Sequence, residues 1–336
     1  MSTGRTAIDQ GAYDVRRCFI HIGTHKTGTT SIQHMLRRGS PALATLGYWY
    51  PRAGRLEDHP GHHNIAWEIS SDHRFRTRFG TTDDLLREVH NRSEDIILSS
   101  EDFQSALHHR ARFSDFISRL QSCGFAVTVI LYTRAQSEYL ARIYLSLLLF
   151  GLELPFDAVL QPVLDQAVFR WREWVLNFDY ADLFDRLGAL ADVGVIARSY
   201  GRAHTSICAD FLSIFNMTLR DVSIGGELSE NRSWPLRDYL QVFLTNRRRR
   251  APLAHEQRVV TQLVSPAARA IHLSPGVTRK LVERYRDSNR RVVVQYGISE
   301  PALALPDDTR AGDSDLSVDE LFSERTEAAV LATVTT

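Results

Sequence analysis

Short apolar runs alternate along the chain with longer stretches of helical spacing. Four runs have the composition of buried strands, and they lie at residues 18–22, 95–99, 127–133 and 193–198. A helical pattern follows each run, so the order predicts an α/β fold with a mostly parallel central sheet flanked by helices. The long segments 39–94, 151–191 and 232–300 predict one irregular, histidine-rich insertion and two helical insertions.

The segment GTHKTGTTS, residues 23–31, connects the first apolar run to a helical stretch. The usual ATP or GTP loop places lysine directly after its second glycine, whereas Lys26 lies between Gly23 and Gly28. Backbone amides here, with the hydroxyls of Thr29 and Thr30, can surround a phosphate at a helix N-terminus. The segment therefore predicts a phosphate-binding loop; the structural alternative is a tight strand-to-helix turn.

The net charge of zero conceals two oppositely charged regions. Residues 301–336 carry eight acids and two arginines, a charge of −6, so the remaining chain carries +6. We expect this acidic tail to be disordered or loosely docked, residues 1–14 to be a flexible N-terminus, and residues 15–300 to form one α/β domain. The excess is too small to indicate nucleic acid and suits a small anionic ligand. Only Lys26 and Lys280 are lysines, against 38 arginines.

The expected location is the cytoplasm. The three cysteines are widely spaced and give no metal-ligand pattern, which fits a reducing compartment. No apolar run approaches the ~20 residues needed to span a bilayer, and the N-terminal segment lacks the apolar core of a signal peptide. We therefore expect no stable membrane insertion, while the oligomeric state stays open.

The segment IHIGTHKTGTTSIQ resembles the 5′-phosphosulfate loop of sulfotransferases that use 3′-phosphoadenosine 5′-phosphosulfate (PAPS). The similarity is to the bacterial, carbohydrate-type branch, and it extends to Gln33. It implies a P-loop-containing α/β fold and PAPS as co-substrate. The residues assigned in this way to the co-substrate are His25, Lys26, Thr27, Gly28, Thr29, Thr30, Ser31, Arg134, Ser137 and Arg142.

The segment VILYTRAQSEYLARIYL resembles the part of these enzymes that binds the 3′-phosphate, a strand ending in arginine before a helix. Arg134 occupies the arginine position, and a guanidinium can clamp a phosphate through two hydrogen bonds. The family's serine eight residues further on is replaced by Arg142. Either Arg142 binds the phosphate itself or Ser137 supplies the missing hydroxyl. The resemblance covers residues 18–297.

Transfer of a sulfuryl group needs a cation on the bridging oxygen and a base for the acceptor hydroxyl. Lys26 is the expected cation. The favoured base is Glu101, just beyond the carboxyl end of a predicted strand, where ligands bind in open α/β sheets. The resemblance supports it, because members acting on carbohydrates use a glutamate in this region. Partial burial would raise its pKa. The alternative bases are His62 and His63, since imidazoles exchange protons near neutral pH.

The expected activity is O-sulfation of a sugar, glycolipid or small-molecule acceptor. We expect no metal cofactor, because no acidic cluster suits Mg²⁺. Two other functions stay open, a P-loop nucleoside kinase or NTPase and a non-catalytic protein that binds PAPS or adenosine 3′,5′-bisphosphate. The arginine run at residues 246–252 is interpreted as a solvated helix end rather than a lipid or polysaccharide site.

Overall fold

The centre of the protein is a five-stranded parallel sheet flanked by helices. A computed structural model describes residues 15–201, 206–224, 234–249, 254–264, 268, 271–298 and 317–332. The sheet strands are β1 (Arg16–Gly23), β2 (Tyr48–Trp49), β3 (Asp95–Ser99), β4 (Phe125–Thr133) and β7 (Val193–Ser199). Their spatial order is β2-β3-β1-β4-β7. The predicted α/β class is therefore confirmed, and so are the four predicted strands, each within two residues of its predicted bounds.

Fifteen α-helices lie within the described residues. Those of the first half are α1 (Thr29–Arg38), α2 (Ser40–Thr45), α3 (His63–Ser70), α4 (Thr82–Val89), α5 (Phe103–Ala106), α6 (Arg110–Ser122), α7 (Gln136–Leu149) and α8 (Phe156–Gln166). Those of the second half are α9 (Tyr180–Gly188), α10 (Ile207–Ser213), α11 (Leu236–Arg248), α12 (Ala254–Leu263), α13 (Pro275–Tyr296), α14 (Val318–Leu321) and α15 (Glu324–Ala332). None of these helices is both long and apolar enough to cross a bilayer.

Helices cover both faces of the sheet, which is why β1 reads as a continuous apolar run. Cys18, Ile20 and Ile22 point to the face covered by helices including α3, α6 and α9. Phe19 points to the opposite face, against α1 and α10. The alternation follows the two-residue period of a strand, and both clusters are fully buried.

The segment 151–191 differs from the largely helical insertion predicted for it. It contains α8 and α9, but between them lies an antiparallel hairpin of β5 (Val168–Trp171) and β6 (Trp174–Asn177). In the segment FRWREWVLNF, residues 169–178, the aromatic residues are spaced as on one face of a helix, which favours a helix. In the hairpin Trp171 and Trp174 are instead paired across the turn, where side chains on the same face meet.

The acidic tail also differs from its prediction over residues 317–332. Val318, Leu321, Phe322 and Val330 are fully buried in a helical cluster formed with α7, α8, α11 and α13. The Phe156 amide donates to the carbonyl of Phe322 at 3.0 Å. Composition predicts disorder because the tail is rich in Asp, Ser and Thr and poor in aromatic residues, yet a few apolar side chains complete a core. Residues 1–14, 301–316 and 333–336 lie outside the described part.

Candidate functional site

The candidate site lies at the edge of the sheet where the parallel strands end. Here β1 leads into the loop of Lys26, β3 into Glu101, β4 into Arg134 and β7 into Tyr200. Open α/β sheets bind ligands at this edge, because loops from neighbouring strands converge there. The fold thus gathers four segments that are separated along the chain.

The loop between β1 and α1 is held in a compact turn. Thr24 donates its amide to the carbonyl of Tyr132 at 3.1 Å, and the Thr27 hydroxyl donates to the Thr24 carbonyl at 2.5 Å. Lys26 and Gly28 have φ values of 68° and 78°. The left-handed region is natural for glycine but rare for lysine, so Lys26 holds a strained backbone conformation.

Helix α1 begins directly after this turn, at Thr29. Its first amides have no carbonyl partner within the helix and carry the positive end of the helix dipole, an arrangement suited to an anion. Thr29 is buried, whereas Thr30 and Ser31 are half-buried. A side chain at Gly28 would lie within 3.2 Å of the Tyr200 ring, so glycine is also required for space.

Arg134 connects the loop to the end of β4. Its Nη1 donates to the carbonyl of Lys26 at 2.5 Å, across 108 positions of sequence. Its Nε and Nη2 donate to Glu138 at 3.0 and 2.7 Å, and its Cζ lies 4.6 Å from the ring centroid of Tyr200. The guanidinium is thereby fixed in a buried position beside the loop.

Arg142 lies in α7, eight residues after Arg134, which lies just before this helix. Its Nε is buried and has no hydrogen-bond partner among the described residues. Burial lowers the pKa of Arg142, and the charge of Arg134 lowers it further. Ser137, the alternative hydroxyl donor, is buried in the first turn of α7. Arg134 is paired with Glu138 but Arg142 keeps an unused buried donor, so the two guanidinium groups form a positive cluster that one carboxylate only partly balances.

The ammonium of Lys26 belongs to the same cluster. The Lys26 side chain reaches solvent, but the surrounding protein displaces enough water to lower its pKa. The carboxylate of Glu101 acts in the opposite direction, while Arg142 and Arg134 lower the pKa further. Lys26 thus lies between two arginines on one side and a carboxylate on the other.

Glu101 follows β3 and faces α1. Gln33 donates its Nε2 to Glu101 Oε2 at 2.9 Å, and His63 Nδ1 lies 4.0 Å from the same oxygen. Burial and Asp102 raise the pKa of Glu101, but His63, His25 and a backbone hydrogen bond together lower it below its ordinary value. The expected upward shift is therefore wrong for this arrangement, because neighbouring positive charge outweighs burial.

His63 and Asp102 form a hydrogen-bonded pair behind Glu101. His63 Nδ1 lies 3.2 Å from Asp102 Oδ2 and 2.9 Å from the Ser100 hydroxyl. Trp67 donates its indole N–H to Asp102 Oδ2 at 2.8 Å, and Arg74 Nη2 is 3.8 Å from Asp102 Oδ1. Asp102 is thus held by side chains from α3 and from the segment after it, and His63 Nδ1 is held by Asp102 and Ser100.

The two members of the pair shift each other's titration. Burial lowers the pKa of His63, but Glu101 and Asp102 outweigh it and raise the pKa above its ordinary value. The Asp102 pKa is lowered despite burial, because of the hydrogen bond and charge of His63. His63 therefore favours the imidazolium form beside two carboxylates, which makes it a charge partner of Glu101.

His62 has a different environment from His63. Ser99 donates its amide to His62 Nδ1 at 3.1 Å, so the other ring nitrogen carries the proton and donates to the Pro51 carbonyl at 3.0 Å. The ring is fully buried, and burial followed by the charge of Arg55 lowers the pKa of His62 to about 3. Both nitrogens hold backbone, so His62 is not in a position to deprotonate an acceptor.

His25 lies between the loop and the hairpin. Its ring centroid is 5.8 Å from that of Trp174, and its buried Nε2 has no hydrogen-bond partner within the described part of the chain. Burial lowers the pKa of His25, although Asp102 and Glu101 raise it. The hairpin, placed wrongly from sequence, thus forms one wall of the site.

Four residues of the site were missed by sequence reasoning. They are Asp102, Trp67, Arg74 and Trp174. Asp102 had a signal, since it directly follows Glu101 at a strand end. The other three had none, because only tertiary packing brings α3 and the hairpin to this edge. Among the described residues, no group of histidine, cysteine and acidic side chains is arranged to hold a metal, and independence from metal stays a prediction.

Comparisons with known proteins do not assign the chain to a family. No protein-family model and no curated protein matches it. One similar solved structure comes from the molecular and structural characterization of the PezAT chromosomal toxin-antitoxin system of Streptococcus pneumoniae. It covers 71% of this chain and 88% of that chain, at 14% identity and a TM-score of 0.32. A TM-score this low carries no argument about function, so the sulfotransferase resemblance stays a prediction.

Proposed function

We propose that this protein transfers the sulfuryl group of PAPS to a hydroxyl of a sugar, glycolipid or small-molecule acceptor. The observation that carries the proposal is the hydrogen bond from Arg134 to the carbonyl of Lys26. The two segments were recognised separately in the sequence, and each resembles a part of the same nucleotide site. A single ligand with phosphate groups at the 3′ and 5′ positions of one ribose would need these two segments to be neighbours.

The positive cluster suits such a ligand. PAPS carries phosphate at the 3′ position and phosphosulfate at the 5′ position, so it needs separate cationic contacts. The unpartnered Nε of Arg142 provides a donor that an additional phosphate oxygen could accept. Together with Arg134 it would hold the 3′-phosphate, while Lys26 and the α1 amides would hold the 5′ group. In this proposal Arg142 takes over the role of the family's serine.

The chemistry is assigned to two side chains. Lys26 neutralises the charge that develops on the bridging oxygen as the sulfur–oxygen bond breaks. Glu101 accepts the proton of the acceptor hydroxyl as the new oxygen–sulfur bond forms, and Gln33 fixes the orientation of its carboxylate. The products are the sulfated acceptor and adenosine 3′,5′-bisphosphate. His63 stabilises the ionised carboxylate by its own positive charge.

Ligand binding provides the first test. We expect adenosine 3′,5′-bisphosphate to raise the melting temperature in the presence of EDTA, with about 2.7 kcal/mol of stabilisation at a hundredfold excess over Kd. Stabilisation by ATP–Mg²⁺ but not by the bisphosphate would indicate a kinase or NTPase instead. Stabilisation by the bisphosphate without turnover in any acceptor screen with labelled PAPS would indicate a non-catalytic binding protein.

Replacement of Lys26 provides the second test. The variant Lys26→Ala should lower turnover by about 10²–10³-fold, because the charge matters most in the transition state, and should change nucleotide affinity far less. Lys26→Arg should restore little, since a planar guanidinium does not reproduce a compact ammonium. The matched control is Lys280→Ala, which removes the other lysine from an exposed position of α13. Equal turnover in the Lys26 and Lys280 variants would contradict the proposal.

A further inference from the structure

An exposed apolar surface lies beside the candidate site. Leu149, Phe150 and Leu154 are 41%, 56% and 39% exposed. Leu149 is the last residue of α7, Phe150 follows it, and Leu154 lies four residues further along the chain. Trp171 and Trp174 of the hairpin are half-buried next to them. We call these five side chains the apolar rim. Large apolar side chains scattered singly need no explanation, but a contiguous group marks an interaction surface.

Ring contacts join three of the five rim side chains. The centroids of Phe150 and Trp174 are 4.9 Å apart with nearly perpendicular rings, and those of Trp171 and Trp174 are 5.7 Å apart. Asn246 of α11 donates to the carbonyls of Leu148 and Leu152 at 2.7 and 3.1 Å. The segment that carries the exposed side chains is therefore fixed in place by a neighbouring helix.

Arginines surround the rim. Arg170 and Arg172 are exposed on the hairpin, and Arg172 lies over the Trp171 ring with Cζ 4.2 Å from its centroid. Arg249 belongs to the arginine run at the end of α11, and its side chain is 84% exposed, 3.6 Å from Glu153 of the rim segment. The run was interpreted as a solvated helix end, but the structure places Arg249 at the border of the rim.

The other described arginines of the run have fixed partners. Arg247 pairs with Glu327 of α15 at 2.8 Å, and Arg248 pairs with Glu256 of α12. On the hairpin, Glu173 Oε1 lies 2.8 Å from His73 Nδ1, so this carboxylate contacts a residue outside the rim. Exposed phenylalanine and leucine beside half-buried tryptophan, bordered by arginine, match the composition of proteins that lie in the interface of anionic bilayers.

We propose that the apolar rim and its arginines form a docking surface for an anionic lipid bilayer. Phe150, Leu149 and Leu154 enter the interface, the two tryptophans lie at the level of the headgroups, and the arginines attract anionic lipid. Trp174 also packs on His25 of the loop, so the docked protein presents the candidate site towards the bilayer. This goes beyond sulfuryl transfer and does not depend on it.

Co-sedimentation with vesicles tests the proposal without any nucleotide. The wild-type protein should bind vesicles of equal parts phosphatidylcholine and phosphatidylglycerol and should bind pure phosphatidylcholine more weakly, with the difference reduced by salt. The double variant Phe150→Ser, Leu154→Ser should lower the partition coefficient by about tenfold or more. Arg172→Gln should lower it by about fivefold, as expected for one charge near the surface.

The matched control is Val294→Ser, which removes a 79% exposed apolar side chain from α13, away from the rim. It should leave the partition coefficient unchanged. Melting temperatures identify any rim variant that is misfolded, and Leu149→Ser provides an independent variant in that case. The proposal is overturned if the wild type does not bind anionic vesicles at low salt, or if the control and rim variants lose binding equally. Self-association that the rim variants abolish, without vesicle binding, would assign the surface to a second copy of the chain.

Discussion

The two sides of the candidate site differ in how their charges are balanced. On one side Lys26, Arg134 and Arg142 repel each other, and Arg142 keeps a buried donor without a partner in the described structure. On the other side His63 lies against Glu101 and Asp102 at 4.0 and 3.2 Å. Glu138 pairs with Arg134 alone, so the cationic side keeps an excess of positive charge that suits an anion, whereas the carboxylates of the acidic side are held by His63.

This difference separates binding from chemistry. Like charges held together destabilise the free protein, and an anion that neutralises them recovers that free energy as affinity. A carboxylate held by fixed hydrogen bonds and a cationic neighbour is oriented before any substrate arrives, and such pre-organisation serves the reaction step. Substitutions of Arg134 and Arg142 on the cationic side should therefore act mainly on nucleotide affinity. Substitutions of Lys26 and of the acidic side should act mainly on turnover.

The largest effect is expected for Glu101→Gln. The variant keeps the size of the side chain but cannot accept the proton of the acceptor, so turnover should fall by about 10²–10⁴-fold. Affinity for adenosine 3′,5′-bisphosphate should change little. For the wild type, the acidic limb of the pH–rate profile should lie below the ordinary glutamate pKa in the free enzyme, because the pKa of Glu101 is lowered. Steady-state kinetics with labelled PAPS measure both quantities.

Two further variants test this assignment. Glu283→Gln removes a carboxylate from an exposed position of α13 and should have normal turnover. Asp102→Asn removes the neighbouring carboxylate that raises the pKa of Glu101, and His63 stays protonated at acid pH beside Glu101, so the acidic limb of the profile should move further downward. Near-normal turnover of Glu101→Gln together with an inactive His63→Gln variant would transfer the role of base to His63.

A smaller effect is expected for Arg142→Ala, which should weaken ligand binding but should not lower the stability of the free protein. Loss of a charge-assisted hydrogen bond to phosphate should weaken adenosine 3′,5′-bisphosphate binding by about tenfold to a hundredfold. The free protein should melt at the same or a higher temperature, because the variant removes repulsion with Arg134 and an unpartnered Nε. Titration calorimetry and thermal melting measure the two.

The ligand lacking a 3′-phosphate provides the control for this comparison. Adenosine 5′-monophosphate should lose little affinity in Arg142→Ala and less than the bisphosphate in Arg134→Ala, which also loosens the loop. Arg279→Ala, at an exposed site of α13, should affect neither ligand. Equal losses for both nucleotides would mean that the arginines do not contact the 3′-phosphate. Arg134→Ala should in addition lower the melting temperature, since Arg134 binds Glu138 and the loop carbonyl.

Local sequence indicates the Lys26 loop of the cationic side, the resemblance adds Arg134 and Arg142, and most contacts of the acidic side have no local signal. The strand-loop-helix unit of Lys26 is contained in about twenty consecutive residues, so periodicity and glycine positions predict it. Glu101 was found because it ends a strand. Its partner Gln33, which only the resemblance offers, reaches the site from α1. Trp67 reaches the site from α3 and Arg74 from the segment after α3, and no local pattern indicates these contacts.

The hairpin and the tail were mispredicted for the same physical reason. Trp171 and Trp174 are compatible with helical spacing, and cross-strand pairing decides between the two structures. In the tail, a few apolar side chains such as Phe322 find a place in a core built by distant helices. Composition averages over the segment and misses them. Tertiary context overrides local preference in both cases.

The smallest effect concerns His62 and His63, adjacent residues whose pKa values shift in opposite directions. The His62 pKa is about 3 in the folded protein, below the ~6.5 of an unfolded chain, so its contribution to stability is complete above pH 6.5 and is lost as the pH falls towards 3. His63 has a raised pKa, so its contribution is complete below pH 6.5 and is lost as the pH rises through the folded value.

His62→Gln should therefore reduce the slope of unfolding free energy between pH 6 and 4 by about 1.4 kcal/mol per pH unit, and His63→Gln should not. At pH 7 His62→Gln should also lower stability by about 1–3 kcal/mol, because the backbone groups of Ser99 and Pro51 lose a buried partner. Urea unfolding across this pH range measures both effects. An unchanged acid slope in His62→Gln would mean that the ring is not held neutral in the folded protein.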